Sequence, residues 1–292
     1  MRILVFGATG MLGHKLVQVL GQAFETYSTV RGDSSRLERY DFIDPTRVKG
    51  DVDVTSTPDI RSAVDWASPD VVINAAGVIK QVSTARSVVQ TLLINSIFPH
   101  RLAELSSEFG FRLITISTDC VFSGSRGNYR ETDTADALDL YGKSKEFGEV
   151  DYGNSLTLRT SIIGRELETT NGLIEWFLSN RRKRVNGFTK AIFSGLPTLI
   201  LAELIQTVIT EHPDLRGLYH VSSDPISKFD LLDQVDRAFS TEIEIVPSEE
   251  LIIDRSLNSE RFRHATGFKP LGWPEMIERM KTDRTPYEKL RS

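Results

Sequence analysis

The chain is 292 residues long, enough for one large domain or a domain with a smaller lobe. It is 40% hydrophobic and 26% charged with a formal net charge of -5, an ordinary globular composition without the basic footprint of a nucleic-acid binder. A single cysteine, Cys120, excludes an internal disulfide and fits a cytoplasmic protein, and no apolar run is long enough to span a bilayer.

Ile3 to Phe6 is all apolar, as expected of a strand buried on both faces of a parallel sheet, and it lacks the long core of a signal peptide. Gly7-Ala8-Thr9-Gly10-Met11-Leu12-Gly13 follows. Leu12, Leu16, Val19 and Leu20 then predict a helix to about Gln22. A second strand is expected near Thr26 to Val30 and a third where Val52 and Val54 flank Asp53. Ile60 to Ala67 reads as a helix stopped by Pro69, and Val71 to Ile73 as a strand closed by Asn74-Ala75-Ala76-Gly77. A long helix carrying Leu92, Leu93, Ile97, Leu102 and Leu105 precedes a fifth strand, Leu113 to Ile116. The helix opening at Tyr141, drawn to Val150, leads to a sixth, Leu156 to Leu158.

This alternation implies an α/β fold, a doubly wound parallel sheet of the Rossmann type over residues 1–160. Beyond Arg159 the pattern changes. Helices are expected at Asn171 to Asn180, Ala202 to Glu211, Ser227 to Phe239 and Glu275 to Lys281, and a strand at Leu218 to Val221, with five prolines between them. Residues 161–292 read mainly as a substrate-binding lobe, with some segments returning to the main sheet.

Ligands of such sheets lie beyond the carboxyl ends of the strands. Gly7, Asp53, Asn74, Ser117 and Thr118 all follow predicted strands on that edge. Gly7, Gly10 and Gly13 allow a tight turn, a close approach to a pyrophosphate and close helix–strand packing. The cofactor set drawn from this edge is Gly7, Thr9, Gly10, Met11, Leu12, Gly13, Arg31, Asp53, Val54, Asn74, Ala75, Ala76, Gly77, Asn95, Tyr141 and Lys145. Arg31 at the second strand's end, with Arg36 nearby, favours NADP(H); Asp33 favours NAD(H) if the strand runs further. Asn95 reads equally as a helix-surface residue. Tyr141 and Lys145, four apart on a helix, set a phenol beside an ammonium, which should lower the phenol's pKa. The Thr118 hydroxyl at the neighbouring strand end suits polarisation of a carbonyl that Tyr141 protonates. The five histidines lack metal-ligand spacing, so no metal is expected.

The glycine turn, Asn74-Ala75-Ala76-Gly77, Asn95 and Tyr141-x-x-x-Lys145, in this order, resemble the extended short-chain dehydrogenase/reductases. Ser117-Thr118-Asp119-Cys120-Val121-Phe122-Ser123-Gly124, Tyr129-Arg130-Glu131-Thr132-Asp133 and Leu140-Tyr141-Gly142-Lys143-Ser144-Lys145 look like the dTDP-4-dehydrorhamnose reductase branch. The resemblance implies a nucleotide-sugar 4-ketoreductase for cell-surface polysaccharide precursors. In it Thr118, Tyr141 and Lys145 are catalytic, and Asn95 supports the lysine and a catalytic water. Asp119 and Val121 line the substrate pocket, and Arg159, Lys190, Arg255 and Asn258 bind substrate.

Three departures stand out. Cys120 replaces the branch's usual tyrosine. Lys15 stands where magnesium-bridged dimers of the family carry a glutamate, which argues against that dimer. Asn171 to Phe177, Gly187 to Thr198 and Asp254 to Asn258 look more like reductases of UDP-linked 4-keto-2-acetamido-6-deoxyhexoses. A non-catalytic NADP-binding regulatory subunit is the competing reading, and an epimerase or dehydratase ranks below it. A homodimer is an open alternative, since the helices around Leu92 to Leu105 and Tyr141 to Val150 either pair across an interface or pack on the sheet.

Overall fold

The computed structural model describes residues 1–79 and 87–291, apart from the side chains of Arg36 and Arg291. In chain order, β1 (Arg2–Phe6) leads into α1 (Gly13–Leu20) and β2 (Glu25–Thr29). Then come β3 (Val48–Lys49), α2 (Thr57–Ala67) and β4 (Val71–Asn74). A helical stretch follows as α3 (Val88–Leu92), one π turn (Leu93–Ile97) and α4 (Phe98–Phe109). β5 (Arg112–Thr118), α5 (Leu140–Glu146) and β6 (Ser155–Thr160) complete the first half. The second half holds β7 (Ile162–Ile163), α6 (Leu173–Leu178), β8 (Arg184–Phe188), β9 (Ala191–Phe193), β10 (Leu196–Pro197) and α7 (Thr198–Glu211). It continues with β11 (Gly217–His220), β12 (Ile226–Ser227), α8 (Lys228–Phe239), β13 (Glu244–Ser248) and β14 (Ile253–Asp254). Helices α9 (Glu260–Thr266), α10 (Trp273–Lys281) and α11 (Tyr287–Arg291) close the chain.

Seven strands form one parallel sheet in the order β11-β6-β5-β4-β1-β2-β3. β1 shows why its sequence is apolar throughout. Ile3 and Val5 enter the core on one face, under α1 and α7, while Leu4 and Phe6 enter the core on the other, under α2 and α4. A strand covered on both sides cannot alternate with polar residues. β11 extends this sheet beside β6, so a segment from beyond residue 160 completes it. The rest of the second half makes three small sheets, β10-β7, β12-β9-β14 and β13-β8.

Three expectations need correction. The third strand is Val48–Lys49, not the Asp53 segment. Asp51 takes a positive φ of 53° and the Asp53 carboxylate accepts from the backbone N and hydroxyl of Thr55, each at 2.8 Å. Val52 and Val54 are therefore turn residues leading into α2, and the apolar–acidic–apolar pattern imitated a strand. The Tyr141 helix ends at Glu146, well short of Val150. In the second half, the parallel pair β8–β13 escaped the pattern because its edge is charged. Arg182 pairs with Glu242 at 3.1 Å and Arg184 with Glu244 at 3.5 Å, while Arg181 donates to Ser240 O at 3.0 Å beyond the end of α8. The basic run Arg181 to Arg184 thus secures a strand pair to a helix end.

Candidate active site

The glycine turn sits at the carboxyl edge of β1. Gly7 takes φ +91°, and Gly10 N donates to Gly7 O at 3.0 Å. A Cβ on Gly13 would fall 1.9 Å from Gly7 O, so α1 can begin this close to β1 only with glycine there. No side chain caps the start of α1, which leaves its positive end open to an anion. Asn74 Oδ1 accepts from Ala76 N at 3.1 Å and folds the Asn74–Gly77 turn against Gly7, whose Cβ position is 3.0 Å from the Ala76 backbone. This paired cradle fits a dinucleotide pyrophosphate. At the end of β2, Arg31 is exposed and makes no hydrogen bond or ion pair among the described residues. Asp33 is engaged locally, accepting from Ser35 N at 2.9 Å and Ser35 Oγ at 2.7 Å. The Arg36 side chain lies outside what the structure describes.

Thr118 ends β5, and Asp139 caps α5 by accepting from Gly142 N at 2.9 Å. A Cβ on Gly142 would lie 2.3 Å from Cys120 O, so glycine lets the helix settle onto the Thr118–Val121 turn. The result is direct contact: the Thr118 hydroxyl and the Tyr141 phenol are hydrogen-bonded. Thr118 Oγ1 also accepts from Cys120 N and donates to Asp119 Oδ1, both at 3.1 Å. Lys145 follows one turn along α5 and donates to Ile116 O at 2.7 Å. Tyr141 and Lys145 are both partly exposed, at a wall that a ligand can reach.

The electrostatics differ from the simple phenol–ammonium expectation. Burial pushes the Tyr141 phenol well above its usual value; Cys120, Asp119 and Asp139 add to the rise, and the bond from Thr118 opposes it. Burial lowers Lys145 itself to about 8, with Glu149 opposing. Burial likewise raises the Asp119 carboxyl, against the pull of Arg255.

Asn95 is settled as an interior residue, 1% exposed. The π turn inserts it between two elements. Its Oδ1 accepts from Val78 N at 2.8 Å, and its Nδ2 donates to Val78 O and to Ser144 Oγ, each at 3.1 Å. Ser96 Oγ donates to Ser144 O at 2.7 Å. Asn95 thus fixes α5 against the turn that follows β4, a role its position in a long apolar helix could not announce. Ser144 is the residue the sequence reading passed over; its place between Tyr141 and Lys145 was the available signal.

The substrate set divides. Arg255 reaches the site, with Nε donating to Phe122 O at 2.8 Å and Nη1 3.7 Å from Cys120 Sγ. Asp119 lies at the same turn, 7% exposed. Asn258 bonds Tyr129 O through its backbone N at 2.7 Å, and its side chain accepts from Glu260 N ahead of α9. Two assignments, Val121 and Arg159, do not fit the geometry, and the geometry leaves Lys190 open. Val121 is fully buried with Phe122, Tyr129 and Leu257, in a core cluster and not on a pocket wall. Lys190 pairs with Glu249 at 3.6 Å on the surface. Arg159 is enclosed in β6 and clamped on Glu149, Nε to Oε1 at 2.7 Å and Nη2 to Oε2 at 2.6 Å. Its third nitrogen faces His220 Nε2 at 3.3 Å, so each of its nitrogens already has a partner inside the protein. Among the described residues no group of three or more His, Cys, Asp or Glu could hold a metal, and no helix is long and apolar enough to cross a membrane.

The comparisons agree with this architecture. The chain is 26% identical to a dTDP-4-dehydrorhamnose reductase of Aggregatibacter actinomycetemcomitans, over 96% of this chain and 98% of that protein. It is 27% identical to the spore coat polysaccharide biosynthesis protein SpsK of Bacillus subtilis, over 97% and 98%. The solved dTDP-4-dehydrorhamnose reductase of Bacillus anthracis, in complex with NADP, superposes with a TM-score of 0.79 at 23% identity, covering 97% of this chain and 99% of that one. The family described as RmlD substrate binding domain matches residues 1–284, and the chain belongs to it.

Proposed function

We propose that the protein is an NADP(H)-dependent reductase acting on the C4 ketone of a nucleotide-linked 4-keto-6-deoxyhexose, in the supply of cell-surface polysaccharide precursors. The observation that carries this reading is the hydrogen-bonded Thr118–Tyr141 pair, with Lys145 one turn on, at the same sheet edge as the glycine cradle. Arg31, exposed at the end of β2, supports NADP(H) over NAD(H). The residues that would hold the cofactor are the turn from Gly7 to Gly13, Arg31, Asn74 to Gly77, Tyr141 and Lys145. Residues 1–160 would serve the cofactor and much of 161–292 the sugar nucleotide.

A bound nicotinamide supplies the hydride. Thr118 donates a hydrogen bond to the carbonyl oxygen as negative charge grows there. Tyr141 passes its phenolic proton to the same oxygen. A phenol held above its usual pKa stays protonated until an alkoxide, a much stronger base, forms beside it. Lys145, as an ammonium, steadies the phenolate left behind and holds the cofactor's ribose. Arg255 and Asp119 stand at the same wall as Cys120.

Purified protein mixed with NADPH and dTDP-4-keto-6-deoxy-L-mannose, or with a UDP-linked 4-keto-2-acetamido-6-deoxyhexose, should consume the cofactor with one of them. Tyr141→Phe should slow it by roughly 10²- to 10⁴-fold. Tight NADPH binding without turnover on either sugar would overturn the reading in favour of a regulatory subunit. Thermal shifts with dTDP and UDP then separate the two substrate classes by mass action.

A further inference from the structure

The carboxyl edge of the sheet carries a row of polar side chains behind the site. Ser117 on β5 is in register with Arg159 on β6, and Arg159 with His220 on β11. All three converge on or next to one carboxylate, Glu149, which lies four residues after Lys145 just past the end of α5. Ser117 Oγ donates to Glu149 Oε1 at 2.5 Å, and Arg159 holds both carboxylate oxygens. The Glu149 and Arg159 side chains are each only 8% exposed. His220 is fully buried; its Nε2 accepts from Arg159 and its Nδ1 donates to Tyr129 O at 3.0 Å, which makes it a neutral ring. A bidentate clamp of this kind fixes the carboxylate in position.

Lys145 stands at the near end of this row. Its Nζ bonds the carbonyl of Ile116, the residue before Ser117, and that oxygen carries no formal charge. The charged and titratable groups on the elements at this edge are Tyr141, Lys143 and Glu146 on α5, Asp119 after β5, Arg159 on β6 and His220 on β11. Against the effect of burial, the charge that raises Lys145 is the Glu149 carboxylate.

We infer that Glu149 is a positioning residue: clamped by Arg159 and Ser117, its carboxylate is the fixed counter-charge that keeps Lys145 an ammonium at the reacting site. A free acid would not serve, because a mobile carboxylate would collapse onto Lys145 and take it out of the cleft. Arg159 and Ser117 hold Glu149 back, so the lysine is stabilised across a gap and its N–H groups stay available to ligands. The idea deepens the proposed ketoreduction and rests on it for its consequence, yet the charge coupling can be measured without any substrate.

The test is a titration of Lys145 by its ¹³Cε chemical shift in lysine-labelled protein, assigned with Lys145→Arg. The wild-type lysine should titrate near 8. In Glu149→Gln, which keeps the size of the side chain, the midpoint should move down by about one unit, the scale of a single buried counter-charge at modest distance. Glu149→Gln with Arg159→Gln, which removes the stranded guanidinium, should show the same downward movement and guards against loss of fold. Glu149→Asp should restore part of it. An unmoved midpoint in folded Glu149→Gln or in the double variant overturns the inference. Failure of the wild type to turn over any sugar nucleotide would instead overturn the proposed function, and leaves the titration readable.

Discussion

Two lysines are drawn into the interior of this molecule and handled in opposite ways. Lys15, on α1, is 1% exposed and meets its counter-charge directly: it pairs with Asp283 and donates to Gln18 Oε1 and Thr285 Oγ1, each at 2.7 Å. The Tyr287 ring lies 5.2 Å from its Nζ, and the Tyr287 hydroxyl donates to Asp283 at 3.0 Å. Every donor has an acceptor, and nothing is left for a ligand. Lys145 is partly exposed, bonds one neutral carbonyl and has its carboxylate held away by an arginine. Burial lowers both amines, and for Lys15 the contact with Asp283 opposes the fall. A saturated lysine ties the segment before α11 to α1; an unsaturated one keeps N–H groups for the role proposed above.

The sharpest break comes from removing each amine. Lys145→Met should leave folding nearly intact and reduce turnover by roughly 10²- to 10⁴-fold. Lys15→Met should leave turnover of the folded fraction unchanged and destabilise the protein by about 3–5 kcal/mol, because Asp283 is left buried without its partner. Denaturant midpoints and steady-state rates on the same samples separate the two. Exchange of these outcomes would show that the contrast drawn from the hydrogen bonds is wrong.

A smaller effect concerns the charge behind Lys145. Burial, and then Arg159, lower His220 to about 3. The unfolded chain binds a proton near the ordinary value of 6.5 that the folded ring refuses, so stability is complete above 6.5 and is lost as pH falls toward 3. Between pH 7 and pH 5 the loss from this group should be about 2 kcal/mol. His220→Gln, which keeps a donor and an acceptor, should flatten that part of the curve. An equal slope in both proteins would mean that a second cation sits beside Arg159, contrary to the neutral row described above.

What the sequence could show follows from the range of each interaction. β1 and β4 are legible because a short run of Val, Ile and Leu needs no context to be buried on both faces. The positions of Thr118, Tyr141 and Lys145 are legible because they stand at a strand end, in a first helical turn and one turn further on, and the fold brings those places together. Arg159 was misjudged for the opposite reason. An arginine at a strand end reads as reaching for a ligand unless its partner is known, and Glu149 reaches it only across the turn between α5 and β6. Asn95 turned inward through a π turn that no helical period encodes. The contacts of Lys15 lie farther still: Thr285 is 270 positions away. Lys15 was legible as a departure from relatives, and its purpose only in three dimensions.

That purpose can be tested with the gentlest change. If Lys15 serves structure alone, neutralising the pair should matter far less than breaking it, since well-packed neutral groups replace a buried ion pair at little cost. Lys15→Met with Asp283→Asn should therefore recover stability to within about 1 kcal/mol of the natural protein. The amide oxygen introduced by Asp283→Asn would still accept from Thr285 N or Tyr287, so the segment before α11 stays docked on α1. The matching change across the molecule, Lys145→Met with Glu149→Gln, should restore nothing, because the proposed reaction uses the charge itself. Recovery of turnover in that second pair would make Lys145 another structural lysine and erase the distinction; failure of the first pair to recover stability would assign Lys15 a task beyond holding Asp283.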